Sequence, residues 1–295
     1  MSTIPKTIII TGGSSGIGFE AAKQLLAQSQ PYNFIIGARH FQETVDAFNG
    51  LNYDGRRHDV TILPLQLNDM LSVKEFACDV IRKLSSSRLD YVLLNAATGL
   101  GKQVSKRGPH GSRWVEPYLV NHLAHHYLLQ LLRPKLERSR TRILFSAAIH
   151  ALVMVKDIKN LENIMTASIE TEEGIYYDTK FIQLLNAHWW HRQLKNTCVV
   201  LAVSPGSVPN TGIYRTGNIE LPHHAIDTIS VNEAARNLVR GLTVDDFPED
   251  RDEIFLLSDG DFLASDYYRE TLDERLQERW SPSLEVIEKQ EGITG

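Results

Sequence analysis

Short apolar runs alternate with longer amphipathic segments from one end of the chain to the other. Most of the short runs are rich in β-branched residues and apolar throughout, as expected of strands that helices cover on both faces. The pattern predicts seven such strands, at residues 7–11, 34–38, 61–66, 90–95, 142–146, 198–204 and 253–258.

Helices are predicted between these strands, because apolar residues recur there every three or four positions. The third helix is expected to end before Pro134, since a proline inside a helix removes a backbone hydrogen bond. The predicted helices span residues 18–28, 71–84, 116–133, 176–194 and 232–242, and a charged helical segment follows at residues 267–290.

This regular alternation predicts an α/β fold, a doubly wound parallel seven-stranded sheet of the Rossmann type. We expect a single domain over residues 1–295. Two parts depart from the alternation: a loop at about 205–230, rich in Pro, Gly, Asn and Thr, and a helical C-terminal tail at about 262–295. A long loop of this kind is a common site for a substrate lid.

Composition narrows the function classes. The chain has 295 residues, 42% of them hydrophobic, enough for one large core. Its net charge of −5 argues against nucleic acid as the main partner. Cys78 and Cys198 lie in apolar patterns and are expected to be buried free thiols. Because neither a signal peptide nor a membrane span is evident, we expect a cytoplasmic protein.

The first candidate site is a glycine turn, "TGGSSGIG", directly after the first strand. Gly12 permits a tight turn, and Gly16 and Gly18 allow close approach of the backbone to a phosphate and of the helix to the strand. The N–H groups at the start of the following helix favour an anion. We therefore predict a phosphate site at Gly12, Ser14, Ser15, Gly16, Ile17 and Gly18.

The second candidate site is the stretch "YYDTK" near the start of the fourth predicted helix. Tyr176 and Lys180 are four residues apart and share a helix face, whereas Tyr177 is rotated away from Lys180. A free tyrosine has a pKa near ~10, and a neighbouring ammonium stabilises its phenolate. An ordinary helix start has the same spacing, so the pair gains meaning only beside the glycine turn.

These motifs occur in a known order. The sequences "TGGSSGIG", "LNAA", "NHLAHHYLL", Tyr176-x-x-x-Lys180 and "SPGSVPNT" follow one another as in short-chain dehydrogenases/reductases. The chain resembles this family over nearly its whole length, and within it the retinol-dehydrogenase-like branch. The resemblance implies that Tyr176 is the acid/base, that Lys180 also holds the nicotinamide ribose, and that Asn121 anchors a water linking the lysine to solvent. It also implies a homodimer or homotetramer.

The end of the second strand indicates which dinucleotide is bound. The sequence "GARH" offers Arg39 and no carboxylate, a pattern that favours the 2′-phosphate of NADP(H). The resemblance implies that Gln66 and Leu67 lie at the adenine and that "NAA" lies beside the adenosine ribose. The implied cofactor-binding residues thus include Asn95, Ala96 and Ala97 of this stretch. Further along the chain they include Pro205, Gly206, Val208 and Thr211, together with Tyr176 and Lys180.

The family's catalytic serine, at the end of the fifth strand, is hard to assign in "RILFSAAIH". Alignment on His150 puts the expected serine at Ala147, and alignment on Arg142 puts it at Ala148. Ser146 is the candidate hydroxyl, but one step along a strand turns a side chain to the opposite face. Ser146 therefore serves only if a bulge or local shift re-aims it; otherwise the hydroxyl is missing.

The sequence thus predicts an NADP(H)-dependent oxidoreductase acting on a carbonyl or alcohol of a mid-sized hydrophobic molecule, such as a steroid, polyketide, terpenoid, retinoid-like compound or lipid. Two alternatives stay open. The first is a non-redox isomerase or cyclase, which the displaced or missing serine suggests. The second is a catalytically silent regulator that binds a nucleotide with the same fold. Eleven histidines occur, but no carboxylate or cysteine completes a ligand pattern with them, so no metal is expected.

Overall fold

The computed structural model describes residues 4–99, 108–155, 157–166, 175–209 and 228–293. Parallel strands form one sheet in the order β3-β2-β1-β4-β5-β6-β7. The doubly wound parallel sheet predicted from the sequence is confirmed. The strands are β1 Lys6–Thr11, β2 Tyr32–Ala38, β3 Asp59–Pro64, β4 Tyr91–Leu94, β5 Arg142–Ser146, β6 Val199–Val203 and β7 Phe255–Leu256.

Helices cover both faces of this sheet. On one face α1 packs against α9 and, through Phe19 and Phe48 with ring centroids 5.2 Å apart, against α2. On the other face α3 packs on α5, and Asn186 and Trp190 of α8 form hydrogen bonds with His126 of α5. The helices are α1 Gly16–Leu26, α2 Phe41–Asn49, α3 Met70–Leu84, α4 Glu116–Tyr118, α5 Ala124–Ser139, α6 Ala151–Met154, α7 Leu161–Met165, α8 Ile175–Leu194, α9 Val231–Thr243, α10 Glu274–Arg279 and α11 Leu284–Gln290.

Two of the helix predictions need correction. Helix α5 does not end before Pro134 but continues through it to Ser139. The buried Leu132 and Leu136 flank the proline, and the Lys135 ammonium donates to the Ser85 main-chain oxygen at 2.7 Å. This packing outweighs the hydrogen bond that proline removes. Helix α2 is not among the predicted helices; it has only nine residues, of which Thr44 and Phe48 are buried.

The C-terminal tail lies across the outer side of α5 and α8. A 3₁₀ segment, Ser265–Leu272, and α10 pack on α8, and α11 packs on α5. The ring of His122 bonds the Trp280 main-chain oxygen at 2.7 Å, and that of His126 bonds the Pro282 oxygen at 2.8 Å. These buried histidines therefore join the tail to α5 and to the turn directly before it.

Other predictions shift in detail. Strand β3 begins and ends two residues earlier than the predicted 61–66, and β7 is shorter than 253–258. Cys198 is buried as expected, but Cys78 is exposed because it lies off the apolar face of α3. Most of the long loop, residues 210–227, lies outside the described residues. In the described ranges no helix combines the length and apolar character that crossing a membrane requires.

Candidate active site

A cavity of about 710 Å³ opens at the carboxyl ends of the strands. This is the edge where open parallel sheets bind ligands, at the point where the strand order reverses between β1 and β4. Most of the predicted site residues line this one cavity: Gly12, Ser14, Ser15, Gly16, Ile17, Arg39, Leu67, Asn95, Ala96, Ala97, Ser146, Tyr176, Lys180, Pro205, Gly206 and Val208. Thr211 lies outside the described residues.

The glycine turn fits a phosphate group. Gly12 has φ +67°, and a Cβ there would lie 2.7 Å from the Ala96 Cα. Ser15 precedes α1 without a side-chain cap to its first-turn N–H groups, and that turn has no acidic residue. Uncapped N–H groups and the positive end of the helix dipole at a cavity wall form an anion site.

Gly18 does not line the cavity; it serves packing behind the turn. A Cβ there would lie 2.4 Å from the Gly12 oxygen and 2.5 Å from the Asn95 amide nitrogen. The Asn95 amide occupies that space and donates to the main-chain oxygens of Thr11 and Gly12 at 3.3 and 3.2 Å. The β1 and β4 turns are thereby joined.

A buried threonine and histidine brace the same turns. The Thr11 hydroxyl accepts from the Asn95 and Ala96 main-chain N–H groups at 3.0 and 3.2 Å. The hydroxyl can itself donate a hydrogen bond to the His125 Nε2, 2.9 Å away, while the His125 Nδ1 lies 3.4 Å from the Asn121 main-chain oxygen. Burial lowers the pKa of His125 to about 3, so the ring is neutral, as this pattern requires.

The end of β2 and the start of α2 place polar groups on the cavity wall. Arg39 and His40 are both exposed, and the Arg39 Nε donates to the His40 Nε2 at 3.1 Å. Glu43 and Thr44 of α2 line the same part of the cavity, so a carboxylate missed by the sequence reading is present there. The arginine nevertheless remains the strand-end residue.

The loop after β3 differs from the expectation. Gln66 is exposed and lies off the cavity wall, and its main-chain N–H donates to the Ser72 hydroxyl at 2.9 Å. Asp69 caps the start of α3 and lies off the cavity wall. The wall is formed by Leu67 and by Asn68, whose amide donates to the Glu116 carboxylate at 3.1 Å. No local sequence signal pairs Asn68 with Glu116, because they meet only in the folded chain.

Tyr176 and Lys180 lie together on the cavity wall at the start of α8. The Lys180 ammonium is 5.8 Å from the centroid of the Tyr176 ring. It donates to the Ser146 main-chain oxygen at 2.8 Å and to the Gln183 Oε1 at 3.0 Å. Burial lowers the pKa of Lys180 to about 7, because the low-dielectric interior disfavours the charged form.

Asn121 lies one layer behind the wall, in a π-helical turn, Leu119–Leu123, that joins α4 to α5. Its side chain bonds both main-chain groups of Thr98 at 2.8 Å and donates to the Thr179 hydroxyl at 2.8 Å. Thr179 directly precedes Lys180 on α8. The asparagine therefore ties the β4 loop to the helix that carries the tyrosine and lysine.

The orientation of Ser146 follows from its neighbours on β5. A Cβ at Gly241 of α9 would lie 2.7 Å from the Leu144 side chain, so Leu144 faces α9. Because side chains alternate along a strand, Ser146 shares that face and Ala147 faces α8. The Ala147 N–H still bonds the Val203 oxygen at 2.8 Å, which leaves no bulge at this point. The geometry favours the alignment on His150.

The wall beyond Tyr176 carries residues the sequence did not single out as site residues. Tyr177, Ala148 and His150 line the cavity, and the Tyr177 ring centroid is 5.3 Å from that of Tyr176. Burial raises the pKa of Tyr177, so it is a neutral phenol at ordinary pH. This part of the wall is mixed in character, with aromatic and methyl groups beside two hydroxyls and an imidazole.

Comparisons with known proteins identify the family of the chain. The family profile described as "short chain dehydrogenase" matches residues 6–159. A short-chain dehydrogenase/reductase of Pestalotiopsis microspora is 46% identical over 291 residues, covering 97% of this chain and 99% of that protein. Retinol dehydrogenase 13 of Homo sapiens is 28% identical over 211 residues, 70% of this chain and 60% of that protein.

A solved structure shows the same fold. A short-chain dehydrogenase from Sphingobium yanoikuyae in complex with NADPH matches with a TM-score of 0.62 at 21% identity, over 93% of this chain and 94% of that one. The extended match to the Pestalotiopsis protein and the family profile go further than the fold. The chain belongs to the short-chain dehydrogenase/reductase family of oxidoreductases.

Proposed function

We propose that this protein is an NADP(H)-dependent oxidoreductase that interconverts a carbonyl and an alcohol in a mid-sized hydrophobic molecule. One observation carries the proposal: Tyr176 and Lys180 share a wall with the uncapped start of α1. A proton donor and a dinucleotide-phosphate site thus lie in one cavity. A binding module without chemistry would need the second but not the first.

The cofactor assignment rests on charge at the end of β2. The exposed Arg39 suits a 2′-phosphate, and its guanidinium offers several donors in a fixed geometry. The related structure from Sphingobium holds NADPH, which supports the same choice here. The α1 start would hold the pyrophosphate and Lys180 the nicotinamide ribose. When bound, the nicotinamide supplies or accepts the hydride.

Tyr176 exchanges the proton with the substrate oxygen. In the reductive direction its hydroxyl donates, and the neighbouring Lys180 ammonium stabilises the phenolate that results. In the oxidative direction the phenolate accepts the proton of the alcohol. Asn121 contributes by fixing Thr98 and Thr179, and the water-linking role that the family resemblance implies for it is part of this proposal.

Ser146 acts, in this proposal, through its main-chain oxygen, which holds Lys180. Its hydroxyl faces the α9 side by strand alternation, so Tyr176 makes the principal hydrogen bond to the substrate oxygen. The replacement Ser146→Ala keeps the main-chain oxygen and should therefore lower turnover only slightly. A loss comparable to that in Tyr176→Phe would instead restore the hydroxyl to a catalytic role.

The substrate class follows from the wall beyond the tyrosine. Ala147, Ala148, Tyr177 and Val208 present methyl and aromatic surface, while His150 offers a polar atom. A hydrophobic ketone, aldehyde or alcohol fits this lining. One relative carries the name retinol dehydrogenase 13, and retinol is a hydrophobic alcohol.

The test is NADPH consumption over a panel of hydrophobic ketones and aldehydes. The variant Tyr176→Phe should lower kcat by about 10²- to 10⁴-fold, the usual contribution of general acid–base catalysis, with NADPH binding nearly unchanged. The matched variant Tyr177→Phe keeps its ring on the wall and should keep most of the turnover. Full activity in Tyr176→Phe would refute the mechanism.

Ala147 at the α8 face favours one second candidate, a non-redox isomerisation or cyclisation in the same cavity. This function needs the phenol and its lysine but not a hydride. Tight NADPH binding without oxidation over the whole panel, joined to Tyr176-dependent conversion of a substrate to an isomer, would replace the redox proposal. Nucleotide binding with no Tyr176-dependent conversion of any kind would indicate the regulator.

A further inference from the structure

Among the residues that the structure describes, no carboxylate pairs with the buried Lys180 ammonium. It is 2% exposed, and its two hydrogen-bond acceptors are neutral oxygens, those of the Ser146 main chain and the Gln183 side chain. Among the described residues, titratable groups near it are the neutral His125 of α5 and Tyr176 of α8, and His150 lies on the same cavity wall. A charge in this position depends on the dipoles that contact it.

Gln183 has an unusual arrangement for a buried amide. It lies one turn after Lys180 on α8 and is 1% exposed. An ammonium only donates, so the atom facing it must be the amide oxygen, and the orientation of the amide is fixed. Its Nε2 then lacks a hydrogen-bond partner within the part of the chain that the structure describes. Leaving a buried N–H₂ unpaired destabilises the fold.

That cost indicates a role for the amide oxygen. A leucine or methionine of similar size would fill the same space on α8 without an unpaired donor. Gln183 does not line the cavity, so a contact with substrate does not explain it. The remaining observation is its 3.0 Å hydrogen bond to the lysine that the chemistry needs.

We propose that Gln183 is a positioning residue, which holds the Lys180 ammonium against the Ser146 carbonyl and beside Tyr176 and stabilises its positive charge. The catalytic consequence rests on the proposed function, but the effect on Lys180 does not. Gln183 touches neither the tyrosine hydroxyl nor the cavity. It acts only through the lysine.

Two substitutions of nearly equal volume should shift the lysine in opposite directions. Burial already lowers the pKa of Lys180 to about 7. Gln183→Met removes an acceptor of the charged form and should lower that pKa further, by about one to two units, the size that a hydrogen bond to a charged group supports. Gln183→Glu places a carboxylate at the same point and should raise it by a similar amount.

The experiment measures the titration of Lys180 directly, in the full-length protein without cofactor. Lysine labelled with ¹³C at Cε is incorporated, and the Lys180 signal is identified by its loss in Lys180→Met. The signal is followed against pH in the parent, Gln183→Met and Gln183→Glu. Gln193→Glu, a partly buried glutamine farther along α8, is the matched control and should leave the Lys180 titration unchanged.

Opposite shifts in the two Gln183 variants, with none in the control, are the expected result. In active protein the pH profile of kcat/KM should move in the same directions. Equal midpoints in the parent and both variants would overturn the proposal, as would shifts of the same sign. If Gln183→Met does not fold, Gln183→Glu alone decides, by a raised midpoint or an unchanged one. Opposite shifts in a protein that reduces no carbonyl would refute the proposed function and leave this inference standing.

Discussion

Because Lys180 is buried, we expect the free energy of unfolding to depend on pH through this residue. Its folded pKa of about 7 is well below the ordinary value of 10.5. Between these two values the unfolded chain holds the proton and the folded chain releases it. The folded state therefore gains stability through this group as pH rises from about 7 towards 10.5, and the cost of burying the charge is fully present below pH 7.

The magnitude follows from the two pKa values. From pH 7 to pH 9 the unfolded amine keeps its proton, while the folded amine goes from half protonated to almost fully neutral. Integrated over these two pH units, the free energy of unfolding rises by about 2 kcal/mol through Lys180. In Lys180→Met this contribution is absent. The lost hydrogen bonds to Ser146 and Gln183 add an offset that changes little with pH.

The assay is urea unfolding of the parent and of Lys180→Met at pH 7, 8 and 9 and constant ionic strength. The difference in unfolding free energy between the two should change by about 2 kcal/mol across this range, with the variant relatively most stable at pH 7. Lys195, exposed just after α8, is the control, and Lys195→Met should give a flat difference. Parallel curves for the parent and Lys180→Met would refute the buried, low-pKa lysine.

Three further predictions concern other parts of the molecule. Replacing Arg39 by Glu should weaken NADPH relative to NADH by about 10- to 100-fold, since a charged hydrogen bond is lost and repulsion added; an unchanged ratio of Kd values in fluorescence titrations would contradict the 2′-phosphate assignment. Burial raises the pKa of Asp178 to about 6. The folded state is therefore destabilised through this carboxyl as pH rises from about 4 to 6, because the buried group must give up its proton. Asp178→Asn should therefore have a higher Tm than the parent at pH 7.5, and the advantage should vanish near pH 4; an equal Tm at pH 7.5 would count against it. Deleting residues 264–295 should uncover the apolar side of α5 and α8, giving higher binding of a hydrophobic dye and self-association in sedimentation, whereas a monomer without dye binding would show that the tail is not needed there.

The parts of the fold and site that sequence could predict are the local ones. The glycine turn and the spacing of Tyr176 and Lys180 need only a strand period and a helix period, and both fall on the cavity wall. Pro134 was misread because its cost is set by packing around α5, which no local pattern contains. Asn68 was missed for the same reason: its partner Glu116 is 48 residues away along the chain.

Ser146 marks a different limit. A shift of one residue at the end of β5 exchanges the faces of Ser146 and Ala147, and two anchors in the sequence gave two alignments. The contact between Leu144 and Gly241, on separate elements, indicates which side chain faces α8. The role of Gln183 could not be predicted from the sequence, because nothing in its spacing shows that its side chain is buried and contacts Lys180.

Much of this site is built from main-chain groups. The start of α1 offers N–H groups, Ser146 offers its carbonyl to Lys180, and Thr98 offers both its main-chain groups to Asn121. Replacing a side chain leaves such groups in place, whereas displacing the backbone moves them out of hydrogen-bond distance. Activity should therefore be more sensitive to a one-residue insertion between Phe145 and Ser146 than to Ser146→Ala, because the insertion displaces the carbonyl that holds Lys180 while the substitution leaves it in place.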